Sequence, residues 1–393
     1  MRSLTTVLLL LAVAARAQGQ QPITRPTGHS INGLPALNFD ADEGFGYGAI
    51  VQYYDYSDGK AEPYRFSLQP TLFFTTRGRR DATLFLDAPH LLPNGWRVGA
   101  QLAREQQLTA PYYGVGNNTV ALESAIKGAN PYYYRFGRTV RRANADFQHE
   151  LVVPALRLFI GAGTRSADVR TVPYDSGTTL LAQQTGKATL PTIESRYARV
   201  GLVWDTRDRE IGPHQGNWSE LLVQRAGRVL GGDQIFTRIT ATLRQYVPLA
   251  ASVTLAERVV LQTVRGDPAI SESFAVQSSF RDDEILGGAT SIRGIPKNRF
   301  VGKGVAFANS ELRWSAASFG LRGRPARLVL SGFADAGRVW ASGLGLSQVA
   351  SDLHVGYGGG ARLAIGPSFV VATDVGHSSL SAAAIYIGLG YVF

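Results

Sequence analysis

Gln234-Ile-Phe-Thr-Arg-Ile-Thr-Ala-Thr-Leu-Arg-Gln-Tyr-Val247 alternates residue by residue. Ile235, Thr237, Ile239, Ala241 and Leu243 fall on one face; Arg238, Thr240, Thr242 and Arg244 fall on the other. A period of two belongs to an extended chain whose side chains point alternately to two surfaces. Arg196 to Thr206 repeats it, with Ala198, Val200, Leu202 and Trp204 set against Arg199, Gly201 and Asp205. At the C-terminus Ile385, Ile387, Leu389, Tyr391 and Phe393 share a face opposite Tyr386, Gly388 and Gly390. No helical stretch is convincing. Strands are expected to begin near residues 44, 64, 81, 95, 137, 155, 195, 216, 234, 252, 304, 326, 355, 368 and 383. A short strand around Leu34 to Phe39, before the turn-like Asp40-Ala-Asp-Glu-Gly44, brings the count to sixteen. Single-chain bacterial barrels use an even number. Long connections are expected over Leu108–Tyr132, Ala167–Glu194, Arg265–Phe300 and Ala341–His354.

The chain has 393 residues, a length that suits two or three soluble domains or one large barrel. It has no Cys, which excludes a disulfide framework, a thiolate metal site and a cysteine nucleophile. The net charge is +10, but the arginines are dispersed, the nearest approach to a run being Arg77-Gly-Arg-Arg80. A nucleic-acid surface would gather them on one face, so no nucleic-acid partner is expected. Arg2, the apolar stretch Leu4 to Ala15 and the small-x-small site Ala15-Arg-Ala17 read as a secretory signal peptide over residues 1–17. Residues 18–39 form a short periplasmic leader, within which the first strand falls, and residues 40–393 form the strand-rich body.

Alternating strands suit a soluble sandwich or a membrane barrel. The export signal favours the barrel. So does a polar face carrying Arg, Gln and Asp opposite an apolar face that ends in aromatics, here Trp96, Trp204, Trp218, Trp314 and Tyr391. The reading is an all-β, transmembrane antiparallel β-barrel of sixteen strands in the bacterial outer membrane, with a long loop folded into its lumen. Leu389, Tyr391 and Phe393 are its C-terminal strand signal.

That loop contains Leu286-Gly-Gly-Ala-Thr-Ser-Ile-Arg-Gly-Ile-Pro-Lys-Asn-Arg-Phe-Val-Gly302. It is glycine-rich, lies between strand-like runs and centres on Ile292-Arg293-Gly294-Ile295. The two strands after it carry acids on their polar faces. Phe307, Asn309, Glu311 and Arg313 form one row, and Ser331, Phe333, Asp335 and Gly337 the other. A guanidinium fork matches carboxylates in two-point pairs, so an inward loop lets Arg293 meet Glu311 and Asp335. On chemistry alone the three charges equally suit ordinary wet lumen positions.

Gly287-Gly-Ala-Thr-Ser-Ile-Arg-Gly294, followed by Arg299-Phe-Val-Gly302 and Asn309-Ser-Glu-Leu-Arg313, resembles the barrel domain of the BamA/TamA outer-membrane assembly superfamily, the bacterial surface antigen family. Phe333-Ala-Asp-Ala-Gly-Arg-Val-Trp340, Gly201-Leu-Val-Trp-Asp-Thr-Arg-Asp208, Gly356-Tyr-Gly-Gly-Gly-Ala-Arg362 and Gly388-Leu-Gly-Tyr-Val-Phe393 match further blocks. The resemblance runs from about residue 40 and is strongest after residue 195. It implies sixteen strands, Arg293 as the loop arginine, and Glu311 and Asp335 as its anchors on the wall. It also implies a weak seam between first and last strands that opens towards lipid, and a role in inserting or translocating proteins, or lipids. The partners it implies are outer-membrane lipids and lipopolysaccharide, together with client polypeptides that it does not name. Two departures stand out. Ile295 follows Arg-Gly where the family usually has an aromatic. The family's POTRA repeats, which receive clients, are not found ahead of the barrel, so the resemblance is to the truncated type, with a separate periplasmic partner in their place.

Other chemistry finds little support. The six His form neither H-E-x-x-H nor a spaced metal pair, and Tyr357-Gly-Gly-Gly360 opens no helix. No catalytic residue, metal site or cofactor is expected. His29-Ser-Ile-Asn-Gly33 matches a nucleophile elbow only loosely, leaving an embedded lipase the weakest alternative. The main alternative is a passive or gated pore.

Overall fold

The computed structural model describes residues 26–40, 44–126, 128, 130–175, 177–321, 323–366 and 369–393. The signal peptide expected over residues 1–17 lies outside them. The strands are β1 (Gly28–Asp40), β2 (Gly44–Ser57), β3 (Phe66–Thr75), β4 (Arg79–Ala88), β5 (Trp96–Pro111), β6 (Arg135–Glu150), β7 (Leu156–Arg170), β8 (Ile193–Asp205) and β9 (Gly216–Ala226). They continue as β10 (Ile235–Ala250), β11 (Val253–Asp267), β12 (Ala275–Val276), β13 (Asp283–Glu284), β14 (Gly304–Leu321), β15 (Arg324–Trp340), β16 (His354–Ile365), β17 (Phe369–Ser378) and β18 (Ser381–Leu389). β1 to β11 and β14 to β18 form one sixteen-stranded antiparallel sheet in chain order, and β12 pairs with β13 in a small ribbon of its own. The sixteenth strand is β1, longer than the Leu34–Phe39 segment expected. A helical turn not expected from the sequence spans Leu180–Thr185, capped by the Thr179 side chain, which accepts from Ala182 N, and by Gly186 at φ 65°.

The alternation has an inverted sense. On β10, Phe236, Arg238, Thr240 and Thr242 are buried while Ile235 and Leu243 are exposed. On β14, Asn309, Glu311 and Arg313 are buried and Leu312 and Trp314 exposed. A soluble sandwich places its apolar rows inside. Here the polar rows face a filled lumen and the apolar rows face outward, where lipid takes the place of water.

The sheet curls almost to closure. β1 and β18 lie side by side, yet among the described residues no ladder joins them, and the sheet order begins at one and ends at the other. Pro35, in the middle of β1, has no N–H to give; proline inside a sheet belongs on an edge strand. Two of the expected outward aromatics sit elsewhere. Trp218 is only 6% exposed, on the inward row of β9 with Glu220 and Gln224, and the Arg244 guanidinium lies 4.2 Å from its ring centre. Tyr391 lies beyond the end of β18 and is described below. Trp204 and Trp314 do face outward.

Candidate functional site: the inward loop and its charge cluster

The connection between β11 and β14 enters the lumen and closes on itself. Gly288 N donates to Ile295 O (3.0 Å) and Phe300 N donates to Leu286 O (3.3 Å). Gly287, Gly288 and Gly294 adopt φ of 101°, 109° and 92°, a region costly for any side chain. Ile285, Leu286, Ile292, Ile295 and Phe300 are buried in one apolar cluster with Phe136, Val260, Phe274 and Phe307. Ile295 therefore serves where the family's aromatic was expected. An aromatic comes instead from the wall: the Arg293 guanidinium stacks 3.4 Å from the Phe333 ring centre.

Arg293 meets both expected acids. Its Nε and Nη2 donate to Asp335 Oδ2 and Oδ1 (2.9 and 3.0 Å), and its backbone N donates to Oδ2 (3.0 Å). Nη1 donates to Glu311 Oε2 (2.8 Å). The side chains of Arg293, Glu311 and Asp335 are all 0% exposed. Burial works against the charge on Arg293, but the hydrogen bond and charge of Asp335, then Glu311 and Asp374, outweigh it and raise the guanidinium above its ordinary range.

Sequence reasoning missed the rest of the cluster. Asp374 on β17 accepts from Arg293 Nη1 (3.4 Å) and pairs two-point with Arg362 on β16 (2.6 and 2.9 Å). Arg313 donates to Glu311 Oε1 (2.9 Å), and Asn309 donates to Asp335 Oδ1 (2.8 Å). Three arginines thus face three carboxylates in a sealed place, the condition under which buried charge is tolerable. The inward parity of Asp374 and Arg362 was the available signal. The glycines of Gly356-Tyr-Gly-Gly-Gly360 make room for this: a methyl on Gly356 would run into the Arg293 carbonyl, and one on Gly360 into Asp374 Oδ1.

Gly294 touches the last two strands directly. Its N donates to Tyr386 Oη on β18 (3.0 Å), and its O accepts from Ser378 Oγ on β17 (2.7 Å). A methyl on Gly376 would meet Gly294 N at 2.6 Å. The loop is pinned elsewhere too. Glu272 pairs with Arg165 of β7 (2.9 Å) and Arg238 of β10 (3.1 Å) and accepts from Ser195 Oγ of β8 (3.0 Å). Burial pushes its carboxyl up, but Arg165 and Arg238 prevail and hold it at about 2. Asp282 pairs with Arg142 of β6, and Asp283 with Arg258 of β11, each at 3.1 Å.

The C-terminal residues differ from expectation. Leu389 ends β18 on its outward row, but Gly390 turns the chain at φ 83°. Tyr391 and Phe393 therefore leave the lipid-facing row. Tyr391 lies under Arg313 (4.7 Å) and closes on Gly212 in the β8–β9 turn. Phe393 packs against Tyr246 and Ala256, and its carbonyl accepts from Arg313 Nη2 (2.9 Å). The same β8–β9 turn sends Glu210 to Arg97 of β5 (2.8 Å). Within it Asp205 pairs with Arg207 (2.7 Å). Among the described residues no cluster of His, Cys, Asp or Glu could hold a metal.

Comparison with known proteins agrees with this construction. The Omp85 superfamily domain matches residues 60–381. BamA from Haemophilus ducreyi lacking POTRA domains 1–3 superposes with a TM-score of 0.56 at 14% identity, over 93% of this chain and 70% of that one. CdiB from Escherichia coli gives 0.58 at 12%, over 91% and 61%. CdiB from Acinetobacter baumannii gives 0.51 at 14%, over 92% and 60%. The chain thus spans about three-fifths of the length of the CdiB structures. No curated protein matches it. The barrel architecture is common to all of these structures, and the domain match covers most of the sequence: the chain belongs to the Omp85 superfamily, as an outer-membrane β-barrel.

Proposed function

We propose that this barrel passes polypeptide segments into or across the outer membrane at the seam between β1 and β18, without catalysing a covalent step. In this reading Arg293, Glu311 and Asp335 hold the lumen loop against β17 and β18, and the loop's position sets how easily β18 parts from β1. The observation that carries it is an unladdered seam whose last strand is hydrogen-bonded, through Tyr386, to the loop's Gly294. An unpaired strand edge is a template for an incoming strand.

The chain has no native Cys, so the seam can be locked by an engineered disulfide. Ile31→Cys or Gly33→Cys on β1 would be paired with Ile385→Cys or Ile387→Cys on β18. In lipopolysaccharide-containing liposomes the reduced protein should speed folding of a client barrel, with or without an added periplasmic partner. The oxidised protein should not. Equal acceleration in both states removes the seam from the mechanism. A passive pore is disfavoured by the pinned loop on one side and by the tail and the β8–β9 turn on the other.

A further inference from the structure

The β14–β15 hairpin outruns the barrel. β11 ladders with β14 only from Gly304 to Trp314, and Ser315 N makes the last bond across, to Ser252 O (2.8 Å). β14 and β15 go on pairing with each other to Leu321 and Arg324. The irregularity between Ser315 and Ala317 marks the point of departure. At about 3.4 Å per residue the ribbon extends about 24 Å along the strand past Trp314, which is 50% exposed on the outward row. The four long connections, 111–135, 170–193, 267–304 and 340–354, all lie at the other end of the barrel, so this is the periplasmic end.

Among the described residues no strand pairs with the β14 side of the ribbon, which is an open edge. Gly366 N donates to Pro325 O (2.8 Å), so the polar backbone groups of Pro325 point towards β16. Its partner Gly320 must then point its N–H and C=O the opposite way, to the open side, and Ser318 does the same two residues earlier. Ser318, Phe319 and Gly320 are exposed. Edges are usually guarded by charge or proline; Ala316-Ala-Ser-Phe-Gly-Leu321 has neither. Lipid cannot satisfy these amides. Charge follows at once, in Leu321-Arg-Gly-Arg-Pro-Ala-Arg327. Arg324 is exposed, Arg327 half-buried, and neither has a carboxylate partner among the described residues. Arg324 Nη1 donates instead to Asn32 Oδ1 on β1 (3.2 Å), so the ribbon sits beside the seam.

We propose that the Ala316–Leu321 edge docks an extended, acidic segment of a separate periplasmic polypeptide, which adds a strand to the ribbon while its carboxylates meet Arg324 and Arg327. This surface is independent of what passes through the seam.

The test uses the full chain in nanodiscs and a fluorescent peptide of alternating valine and threonine flanked by aspartates. Binding is read by anisotropy. Ser318→Pro removes an outward N–H without touching the β14–β15 ladder and should weaken binding by about tenfold or more. Ser318→Ala should leave it unchanged, and Arg324→Gln with Arg327→Gln should bring the aspartate peptide down to the level of a lysine-flanked one. Retained heat-modifiability of each variant on gels confirms that the barrel is folded. Absence of binding to the wild-type chain, or equal binding by Ser318→Pro, overturns the proposal. So does barrel dimerisation that Ser318→Pro abolishes, which would make a second copy the occupant.

Discussion

Replacing Arg293 with Ala removes four side-chain hydrogen bonds from a site with no solvent access. The loss is uneven among the acids. Glu311 keeps Arg313 at 2.9 Å and Arg362 at 3.6 Å. Asp374 keeps its two-point pair with Arg362. Asp335 is stripped of its counter-ion and retains only Asn309 Nδ2 and the backbone N of residue 293. Breaking a buried pair from one side costs ~3–5 kcal/mol. Two surviving neutral donors put this case at the lower end, about 3 kcal/mol. Each 1.4 kcal/mol is a factor of ten, so the population with the loop released rises by roughly a hundredfold. When opening and closing are fast relative to cleavage, proteolysis reports that population. The Arg293→Ala protein in nanodiscs should be cut between residues 268 and 303 about a hundred times faster than the wild type. Asp335→Asn in the same background should restore most of the protection, because it removes the stranded charge. Arg293→Lys should restore little, since an ammonium cannot make the two-point contact. Unchanged cleavage in Arg293→Ala, or faster cleavage on adding Asp335→Asn, would falsify the account of the cluster as a tether.

Glu272 gives a pH signature. Its carboxyl is held near 2 in the folded state, against about 4.3 in an unfolded chain. The stabilisation is present above the unfolded value and is lost as pH falls through the folded one. Loop protection should therefore hold down to pH ~4 and decline towards pH 2, and Glu272→Gln should abolish that decline; an identical acid profile in the variant would assign it elsewhere. Gly356→Ala should loosen the loop as Arg293→Ala does, because its methyl meets the Arg293 carbonyl; a variant as protease-resistant as the wild type would show that β16 can yield. Deleting Tyr391 to Phe393 takes away a lumen-crossing contact with Arg313. Single-channel conductance in planar bilayers should rise, and no change would remove the tail from the seal.

Most of the barrel was legible because lipid on one side and packed polar groups on the other impose a strict period of two. Strands expected near residues 64, 81 and 137 begin at Phe66, Arg79 and Arg135. Inward parity and complementary charge put Arg293, Glu311 and Asp335 within the same lumen, and it was the family resemblance that singled them out as a set. Trp218 was misread because residue type was allowed to overrule parity: it shares its row with Glu220 and Gln224. Tyr391 and Phe393 were misread because the row was extended past Gly390, where one positive φ ends it. Glu272, Asp282 and Asp283 could not be found, because a loop has no period and their partners lie on strands that only the closed barrel brings near.

The spread of the loop's pins also bears on how the molecule folds. Arg142 is 140 residues from Asp282, and Arg293 is 81 from Asp374. Contacts of such separation form late, since the intervening chain must first be ordered. Two of the three acids that face Arg293 come from strands after β14. A nascent chain that has delivered its first eleven strands already offers partners to Glu272, Asp282 and Asp283, but Arg293 still has nowhere to lock. The early strands can hold the first half of the loop, and the Arg293 end seats only when β14 to β17 bring Glu311, Asp335 and Asp374.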